Sequence, residues 1–284
     1  MQELNDRVAV VTGGGSGIGR GIALGLADEK MTVAIADIRM QAAEAVAAEI
    51  TERGGKALAV EVDVTSVESL ETARDRIATE AGGVHLLCAN AGVLGRIASL
   101  EEHTLQDWEY TLSVNLLGTV KTVSTFMPLL RKSAPDAHIV NTASIGGLIS
   151  AEGFPIGAYI ASKYACVGYS EVLRQELADD GIGVSVLCPG LVASELFRTS
   201  MGNRPDDFGK QAVPDLTKLA ASGGETPELA KAMAAEDVGP IVVDAVRNNV
   251  LHILTHPQAR EHVEERFAGV RADFDHADKL AAKS

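Results

Sequence analysis

The sequence predicts an α/β protein in which helices cover both faces of a doubly wound parallel sheet. Short apolar runs rich in β-branched residues alternate with longer stretches of helical apolar spacing, which is the rhythm of repeated βαβ units. The runs are continuously apolar, as expected for strands buried on both faces. They lie at residues 8–11, 33–36, 57–62, 86–89, 139–142 and 184–188, and a further strand is predicted at 251–255 after a helix over roughly 236–249.

The chain is predicted to form a single domain over residues 1–284, because no repeat, low-complexity tract or linker divides it. Two segments depart from the regular pattern. Residues 191–235 combine scattered Pro and Gly with short helical pieces, and a connection of this length is typical of a functional lid, here over the substrate. Residues 256–284 form a polar, amphipathic C-terminal extension.

The composition excludes several classes of protein. With 46% hydrophobic and 23% charged residues, the chain is too apolar for a disordered protein, yet it lacks the run of ~20 apolar residues that a membrane span needs. A formal net charge of −14 without a basic cluster argues against nucleic acid or an anionic membrane as a partner. Residues 1–7 are polar and lack the order of a secretory signal, so we expect a cytoplasmic protein.

The three cysteines, Cys88, Cys166 and Cys188, are widely spaced in apolar surroundings. This pattern favours small core residues over a disulfide framework or a zinc site. No cluster of His, Cys and acidic residues has the spacing of metal ligands, so we expect no metal.

A glycine-rich loop follows the first predicted strand and precedes the first predicted helix. Thr12 leads into Gly13, Gly17 and Gly19, a Gly-x-x-x-Gly-x-Gly spacing that differs from the usual Gly-x-Gly-x-x-Gly. Glycines permit positive φ and a close approach of the backbone, and the helix start offers free N–H groups to a pyrophosphate. A turn without a ligand is the alternative, but the position between strand and helix favours a dinucleotide site.

An acidic residue, Asp37, stands at the tip of the second predicted strand, 18 residues after Gly19. An acidic residue near this offset reaches the adenosine ribose hydroxyls, and its charge repels a 2′-phosphate. Asp37 therefore predicts NAD rather than NADP. Arg39 is the competing feature, because its guanidinium could bind a 2′-phosphate.

A tyrosine and a lysine, Tyr159 and Lys163, are four residues apart in a predicted helix, so their side chains share one face. A phenol has a pKa near ~10 and is a poor base at neutral pH unless a nearby cation stabilises the phenolate. Ser144 lies 15 residues before Tyr159, just past the fifth predicted strand, where strand ends line the crevice of such sheets. Asn115 is a polar residue in an apolar helical stretch, and its alternative readings are a satisfied core Asn or a kink in that helix.

Together these features resemble the classical short-chain dehydrogenase/reductase family, from about residue 6 to residue 255. The glycine loop matches the family motif T-G-x-x-x-G-x-G, Asn90-Ala91-Gly92 matches its N-A-G motif, and a Pro-Gly turn follows the sixth strand. The resemblance implies a Rossmann-type fold and a catalytic tetrad of Asn115, Ser144, Tyr159 and Lys163. The residues expected to bind the cofactor are Thr12, Gly13, Gly15, Ser16, Gly17, Ile18, Gly19, Asp37, Ile38, Asp63, Val64, Asn90, Ala91, Gly92, Tyr159, Lys163, Pro189, Gly190, Val192 and Ser194.

The resemblance also implies the activity, which is NAD-dependent hydride transfer between a nicotinamide cofactor and a secondary alcohol or ketone. Apolar residues after Gly190 and between Ser144 and Tyr159 favour an apolar pocket for a small-molecule substrate, and ordinary packing of the lid is the alternative. The segment Thr255-His256-Pro257 and the helix after it resemble members that act on bulky alcohols such as aryl carbinols, which implies a bulky apolar or aryl substrate. Alternatives are an NADPH-preferring ketone reductase, a non-catalytic NAD(P)-binding sensor on the same fold, and an epimerase or dehydratase. Family members commonly pair two of their helices across a two-fold axis, so a homotetramer or homodimer is expected.

Overall fold

The structure is a computed structural model, and it describes residues 1–150, 154–194, 196–209 and 232–282. Seven strands in this part of the chain form one parallel sheet, in the order β3-β2-β1-β4-β5-β6-β7. The strands are β1 (Val8–Thr12), β2 (Thr32–Asp37), β3 (Lys56–Glu61), β4 (Leu86–Ala89), β5 (His138–Thr142), β6 (Gly183–Cys188) and β7 (His252–Leu254). The predicted doubly wound fold is confirmed, and each strand lies within two residues of its predicted bounds.

Helices connect the strands and cover both faces of the sheet. They are α1 (Gly17–Asp28), α2 (Met40–Glu52), α3 (Val67–Ala81), α4 (Leu105–Leu112), α5 (Thr119–Ser133), α6 (Gly157–Glu176), α7 (Leu196–Gly202), α8 (Val238–Arg247) and α9 (Arg260–Ala281). Helix α8 ends two residues short of its predicted limit and is preceded by a 3₁₀ turn at Ala235–Asp237.

The two faces of the sheet carry separate hydrophobic clusters. Helices α1, α2 and α8 pack on one face, and helices α3, α5 and α6 pack on the other. Successive residues of β1 contribute to opposite clusters, with Ala9 and Val11 facing α1, and Val8 and Val10 facing α3. This arrangement explains why the strand sequences are apolar at every position.

A π-helical turn, Ser113–Gly118, joins α4 to α5 into one continuous helix. An inserted residue of this kind displaces the backbone from the regular hydrogen-bonding ladder, and such turns often occur at functional sites. The turn carries Asn115, so the regular α-helical hydrogen bonding is interrupted at a residue singled out from the sequence.

The predicted lid, residues 191–235, includes residues 195 and 210–231, which lie outside the described part of the chain. Its described portions contain helix α7, a 3₁₀ turn at Asp206–Phe208 and a bridge between Val192 and Met233. The C-terminal extension begins with a 3₁₀ turn at Pro257–Ala259 and continues as the exposed helix α9.

Three further features bear on the sequence predictions, namely the cysteines, membrane-spanning helices and metal-ligating side chains. Cys88, Cys166 and Cys188 are buried free thiols. Among the helices described, none combines the length and apolar character needed to cross a bilayer. The described His, Cys, Asp and Glu side chains do not gather in groups of three or more that could hold a metal ion.

Candidate active site

The glycine loop forms a cradle between the end of β1 and the start of α1. Gly13 and Gly17 have φ values of 64° and 51°, in the left-handed region that favours glycine. A Cβ atom on Gly19 would lie 2.1 Å from the carbonyl oxygen of Gly13, so only glycine fits there. The Ser16 side chain does not cap α1, and the first turn holds no acidic residue, which suits the helix start to a phosphate.

Asp37 lies at the tip of β2 with 5% of its surface exposed. Its Oδ2 atom accepts a hydrogen bond from the Gly15 N–H at 3.0 Å, so this carboxylate fixes the glycine loop. Arg39 folds over the same spot, with Nε 3.6 Å from Oδ1 of Asp37 and Nη2 donating to Ser16 Oγ at 3.2 Å. Both Asp37 and Arg39 line the cleft above the loop.

Thr12 joins the glycine loop to the Asn90-Ala91-Gly92 segment that follows β4. Its Oγ1 accepts hydrogen bonds from the N–H groups of Asn90 and Ala91, at 2.9 and 3.1 Å. The Asn90 side-chain amide donates in turn to the carbonyl of Thr12 at 3.0 Å. The two loops on either side of the cofactor crevice are therefore held together by buried polar contacts.

Tyr159 and Lys163 lie one turn apart on α6, as their spacing predicts. The Lys163 Nζ atom is 5.6 Å from the centroid of the Tyr159 ring and donates to the carbonyl oxygen of Thr142 at 2.8 Å. The residue is only 3% exposed, so its charge acts in surroundings of low dielectric constant and is screened little by solvent.

Asn115 is completely buried beneath Gly92. Its amide nitrogen donates to the Val93 carbonyl at 2.9 Å and to Ser162 Oγ at 3.0 Å, and its Oδ1 accepts from the Val93 N–H at 2.8 Å. The Ser162 hydroxyl donates to the carbonyl of Tyr159 at 2.6 Å. Asn115 thus links the loop after β4 to helix α6.

Ser144 follows β5 and begins a short 3₁₀ turn, where its Oγ accepts from the Gly146 N–H at 3.1 Å. The next residue, Ile145, donates its N–H to the carbonyl of Pro189 at 2.8 Å, which connects this turn to the Pro189-Gly190 turn. The Gly190 N–H points to Thr255 Oγ1 and His256 Nδ1, both at 3.2 Å.

A cleft of about 310 Å³ runs along the carboxyl ends of the strands. It brings together most of the predicted residues, namely Gly13, Ser16, Gly17, Ile18, Gly19, Asp37, Ile38, Asp63, Val64, Asn90, Ala91, Gly92, Tyr159, Lys163, Pro189 and Ser194. The others, Thr12, Gly15, Asn115, Ser144, Gly190 and Val192, are not among its lining residues. For Thr12, Gly15 and Asn115 the described contacts are to neighbouring loops, so these residues shape the cleft from behind.

A set of cleft residues on α4 and in the π turn was not predicted from the sequence. Tyr110, Ser113 and Val114 line the cleft from this helix, and Thr142 and Ala143 line it from the end of β5. Burial raises the pKa of Tyr110 to about 12, so it stays a protonated phenol and donates to the Ser200 carbonyl. Tyr110, Ser113 and Val114 lie just before Asn115 in the same helical stretch, and this position was the signal that could have identified them.

The cysteines near the cleft do not supply a nucleophile. Burial raises the pKa of the Cys188 thiol to about 12 and also raises the pKa of Cys166. A thiol with so high a pKa stays protonated at neutral pH and is a poor nucleophile.

The glycine cradle, the acidic residue at the strand tip and the Tyr–Lys pair fit a nicotinamide dinucleotide, and together they define an oxidoreductase with a doubly wound fold. Residues 7–204 match the sequence model of the short chain dehydrogenase family. The chain belongs to this short-chain dehydrogenase/reductase family, whose members bind a nicotinamide cofactor and act on alcohols and ketones.

Two relatives illustrate the range of the likeness. The chain is 32% identical over 282 residues to the CLA biosynthesis dehydrogenase/reductase of Lactiplantibacillus plantarum, and the alignment covers 96% of both proteins. It is 36% identical over 195 residues to the cyclohexanol dehydrogenase of Acinetobacter sp. strain SE19, covering 69% of this chain and 76% of the relative.

Solved structures of similar fold include complexes with either cofactor. A short chain dehydrogenase/reductase from Burkholderia phymatum in complex with NAD aligns with a TM-score of 0.86 and 32% identity, over 96% of this chain and 97% of that one. A short chain dehydrogenase from Burkholderia cenocepacia J2315 in complex with NADP aligns with a TM-score of 0.72 and 27% identity, over 89% and 96%. The likeness therefore leaves open the choice between NAD and NADP.

Proposed function

We propose that the chain is an NAD-dependent dehydrogenase or ketoreductase that acts on secondary alcohols and ketones bearing a bulky apolar or aryl group. The observation that carries the proposal is the buried Lys163 ammonium beside the Tyr159 ring, in the same cleft as Asp37 and the glycine loop. This pair can move a proton to and from a substrate oxygen, which is the step that hydride transfer requires of the protein.

The roles of Tyr159, Lys163 and Ser144 follow from this proton transfer. When bound, a nicotinamide cofactor would supply the acceptor or donor of the hydride. In the oxidative direction the Tyr159 phenolate takes the proton of the alcohol, and the Lys163 cation stabilises that phenolate. Ser144 holds the substrate oxygen toward Tyr159, which lowers the entropic cost of the reaction. Lys163 is also expected to hold the nicotinamide ribose.

Asn115 acts through its surroundings. The resemblance implies that Asn115 holds a water connecting Lys163 to solvent. Its side chain makes three hydrogen bonds to Val93 and Ser162, and its main-chain carbonyl accepts from Thr119 Oγ1 at 2.9 Å. Because a carbonyl oxygen has a second lone pair, we assign the water to this carbonyl and the positioning of Val93 and Ser162 to the side chain.

The preference for NAD rests on Asp37. Its buried carboxylate would accept from the ribose 2′-hydroxyl and repel a 2′-phosphate. Arg39 supports the second candidate, an NADPH-preferring ketone reductase, because its guanidinium lies beside Ser16 in the same part of the cleft. We take the carboxylate as the determinant because its side chain is 6% exposed at the strand tip, whereas the Arg39 side chain is 34% exposed.

The substrate class rests on the apolar part of the cleft lining. Apolar and aromatic side chains in this lining include those of Val93, Val114, Tyr110, Leu196 and Phe208. A wall of this kind favours a substrate with an apolar ring or chain next to the reacting carbon. The cyclohexanol dehydrogenase among the relatives acts, by its name, on a cyclic secondary alcohol. Residues 191–235 would then serve as the substrate lid.

We also propose a homotetramer or homodimer assembled through α5 and α6. The helical stretch from Thr111 onward carries apolar residues on more than one face. Val123 and Phe126 are buried within the subunit, whereas Leu112, Leu116 and Val120 are half-buried. Leu117 in the π turn and Val172 on α6 are exposed to 49% and 53%, and a second subunit would cover them.

The experiment is a screen of secondary alcohols with NAD and of ketones with NADH, followed by the absorbance of the reduced nicotinamide. Turnover that prefers aryl or cyclic substrates supports the proposal. Cofactor binding without turnover of any substrate would favour a non-catalytic sensor instead.

A further inference from the structure

A buried ion pair holds residues 196–209, here called the wall segment, against the start of helix α4. Nη2 of Arg204 lies 2.8 Å from Oδ1 of Asp107, and the two side chains are only 4% and 3% exposed. The Arg204 Nε also donates to the carbonyl of Gly209 at 2.9 Å. A charge this deeply buried is stable only when it is paired and hydrogen-bonded, so the contact strongly restricts the wall segment.

Asp107 is anchored independently of Arg204. Its Oδ2 accepts from the N–H and the hydroxyl of Thr104, both at 2.9 Å, and from Nη1 of Arg96 at 3.3 Å. Burial works to raise the pKa of Asp107, but the hydrogen bonds from Thr104 and Arg204 outweigh burial and hold it below its usual value. The carboxylate is therefore charged and presents Oδ1 to the wall segment.

Tyr110, on the next turn of α4, provides a second attachment. The centroid of its ring lies 5.2 Å from the guanidinium carbon of Arg204 and 5.5 Å from the centroid of the Phe208 ring. Its hydroxyl donates to the carbonyl of Ser200 at 3.3 Å, and the Leu94 N–H donates to Ser200 Oγ at 2.7 Å. The wall segment is thus fixed at two places, at Ser200 and at Arg204 with Phe208.

The attachment determines one side of the cleft. Tyr110 and Phe208 line the same cleft as Tyr159 and Lys163, whereas Arg204 does not line it. Arg204 therefore acts from behind, by holding residues that face the substrate.

We propose that Arg204 and Asp107 are positioning residues that determine substrate specificity, because they fix Phe208 and Tyr110 as the apolar wall for the part of the substrate remote from the reacting carbon. This inference rests on the proposed function. A bulky substrate gains binding energy from the wall, and a small one does not reach it.

The test compares 1-phenylethanol with 2-propanol in Arg204→Met. We expect the KM for 1-phenylethanol to rise by about tenfold or more, with the KM for 2-propanol, the kcat and the Kd for NADH changed by less than about twofold. Arg204→Lys should restore part of the loss, since an ammonium can pair with Asp107 but cannot make the forked contacts of a guanidinium. Arg131→Met, which breaks an exposed pair with Asp180, is the matched control and should leave the KM ratio unchanged.

Two further measurements keep the proposal falsifiable. Phe208→Ala leaves the ion pair intact, so it should reproduce the change in KM ratio even if Arg204→Met folds poorly. Hydrogen exchange needs no substrate, and Arg204→Met should accelerate the amides of Leu94 and residues 196–209. If the wild type turns over no alcohol, the proposed function is wrong. The exchange measurement then still tests whether the ion pair restrains the wall segment. An unchanged KM ratio in Phe208→Ala, or unchanged exchange in the wall segment of Arg204→Met, would overturn the proposal.

Discussion

Lys163 is held between the ring of Tyr159 and the end of β5, with its Nζ 5.6 Å from the ring centroid and 2.8 Å from the Thr142 carbonyl oxygen. A Cβ atom on Gly92 would lie 3.5 Å from that Nζ and 3.3 Å from Oδ1 of Asn115. Strand β5, the loop after β4 and helix α6 thus meet at one ammonium group. These contacts fix the position of the ammonium group, and under the proposed mechanism such a fixed cation provides the preorganisation that acid–base catalysis needs.

Replacing Tyr159 by Phe should abolish most turnover and preserve cofactor binding, because the ring remains while the proton carrier is lost. We expect kcat to fall by ~10²–10⁴-fold, the usual contribution of a general acid or base. The Kd for NADH, measured by fluorescence, should change by less than about twofold. Tyr164→Phe, on the same helix, is the control because its ring contacts Arg266 rather than Lys163. Wild-type kcat in Tyr159→Phe would show that another group carries the proton.

Replacing Asp37 by Asn should shift the cofactor preference toward NADP. This substitution removes the charge that repels a 2′-phosphate. We expect the ratio of kcat/KM for NADP to kcat/KM for NAD to rise by the equivalent of ~1–3 kcal/mol, the scale of a hydrogen bond to a charged group. Arg39→Met is the matched variant and should lower kcat/KM for NADP below the wild-type value. A wild-type enzyme that already prefers NADPH, and loses this preference in Arg39→Met, would identify Arg39 as the selector.

The buried residue His138 should make the fold sensitive to acid. Burial lowers its pKa from 6.5 to about 3, and its Nε2 lies 2.8 Å from Ser185 Oγ. Between these two values the unfolded chain binds a proton that the folded chain does not, so stability is present above about pH 6.5 and lost as the pH falls toward 3. The loss should reach on the order of a few kcal/mol.

Chemical denaturation across this range of pH measures the effect. His138→Asn should be less stable at neutral pH and should show a shallower decline with acid than the wild type. His262→Gln, on the exposed helix α9, serves as the control. Parallel curves for His138→Asn and the wild type would mean that His138 does not contribute to acid unfolding.

The assembly can be tested at Val172, which is exposed on α6. Light scattering should give a mass of two or four times the subunit mass of 29.7 kDa for the wild type. Val172→Lys should reduce it, because burying an unpaired charge in an apolar interface is costly. Val67→Lys, at an exposed position at the start of α3, should leave the mass unchanged. A wild-type mass near that of one subunit at micromolar concentration would refute the assembly.

The sequence predicted the sheet and its order of elements well, because strands buried on both faces are apolar at every position. Helix α8 and strand β7 were shorter than predicted, since periodicity does not mark where packing ends. The glycine loop, Asp37 and the Tyr159–Lys163 pair could be found because their chemistry demands particular residue types at local spacings. The cytoplasmic location stays a prediction.

The contacts that depend on distant parts of the chain could not be predicted. Arg204 and Asp107 are nearly a hundred residues apart, and each looks like an ordinary surface charge in the sequence. Likewise, His256 lies 66 residues beyond the Gly190 N–H that it faces. The polar Asn115 in an apolar stretch allowed a kink in the helix, but the apolar spacing continues through Ser113–Gly118 and did not predict that the irregularity is a π turn.

The most direct test of hydride transfer uses 1-phenylethanol carrying deuterium on its carbinol carbon, with NAD and the wild-type enzyme. Mass spectrometry of the reduced cofactor reports where that deuterium goes. The mechanism predicts one deuterium on each molecule of NADH formed, placed at C4 of the nicotinamide by nuclear magnetic resonance, and none in Tyr159→Phe beyond its residual turnover. Ketone formed without deuterium in the cofactor, or no ketone despite tight NAD binding, would contradict it.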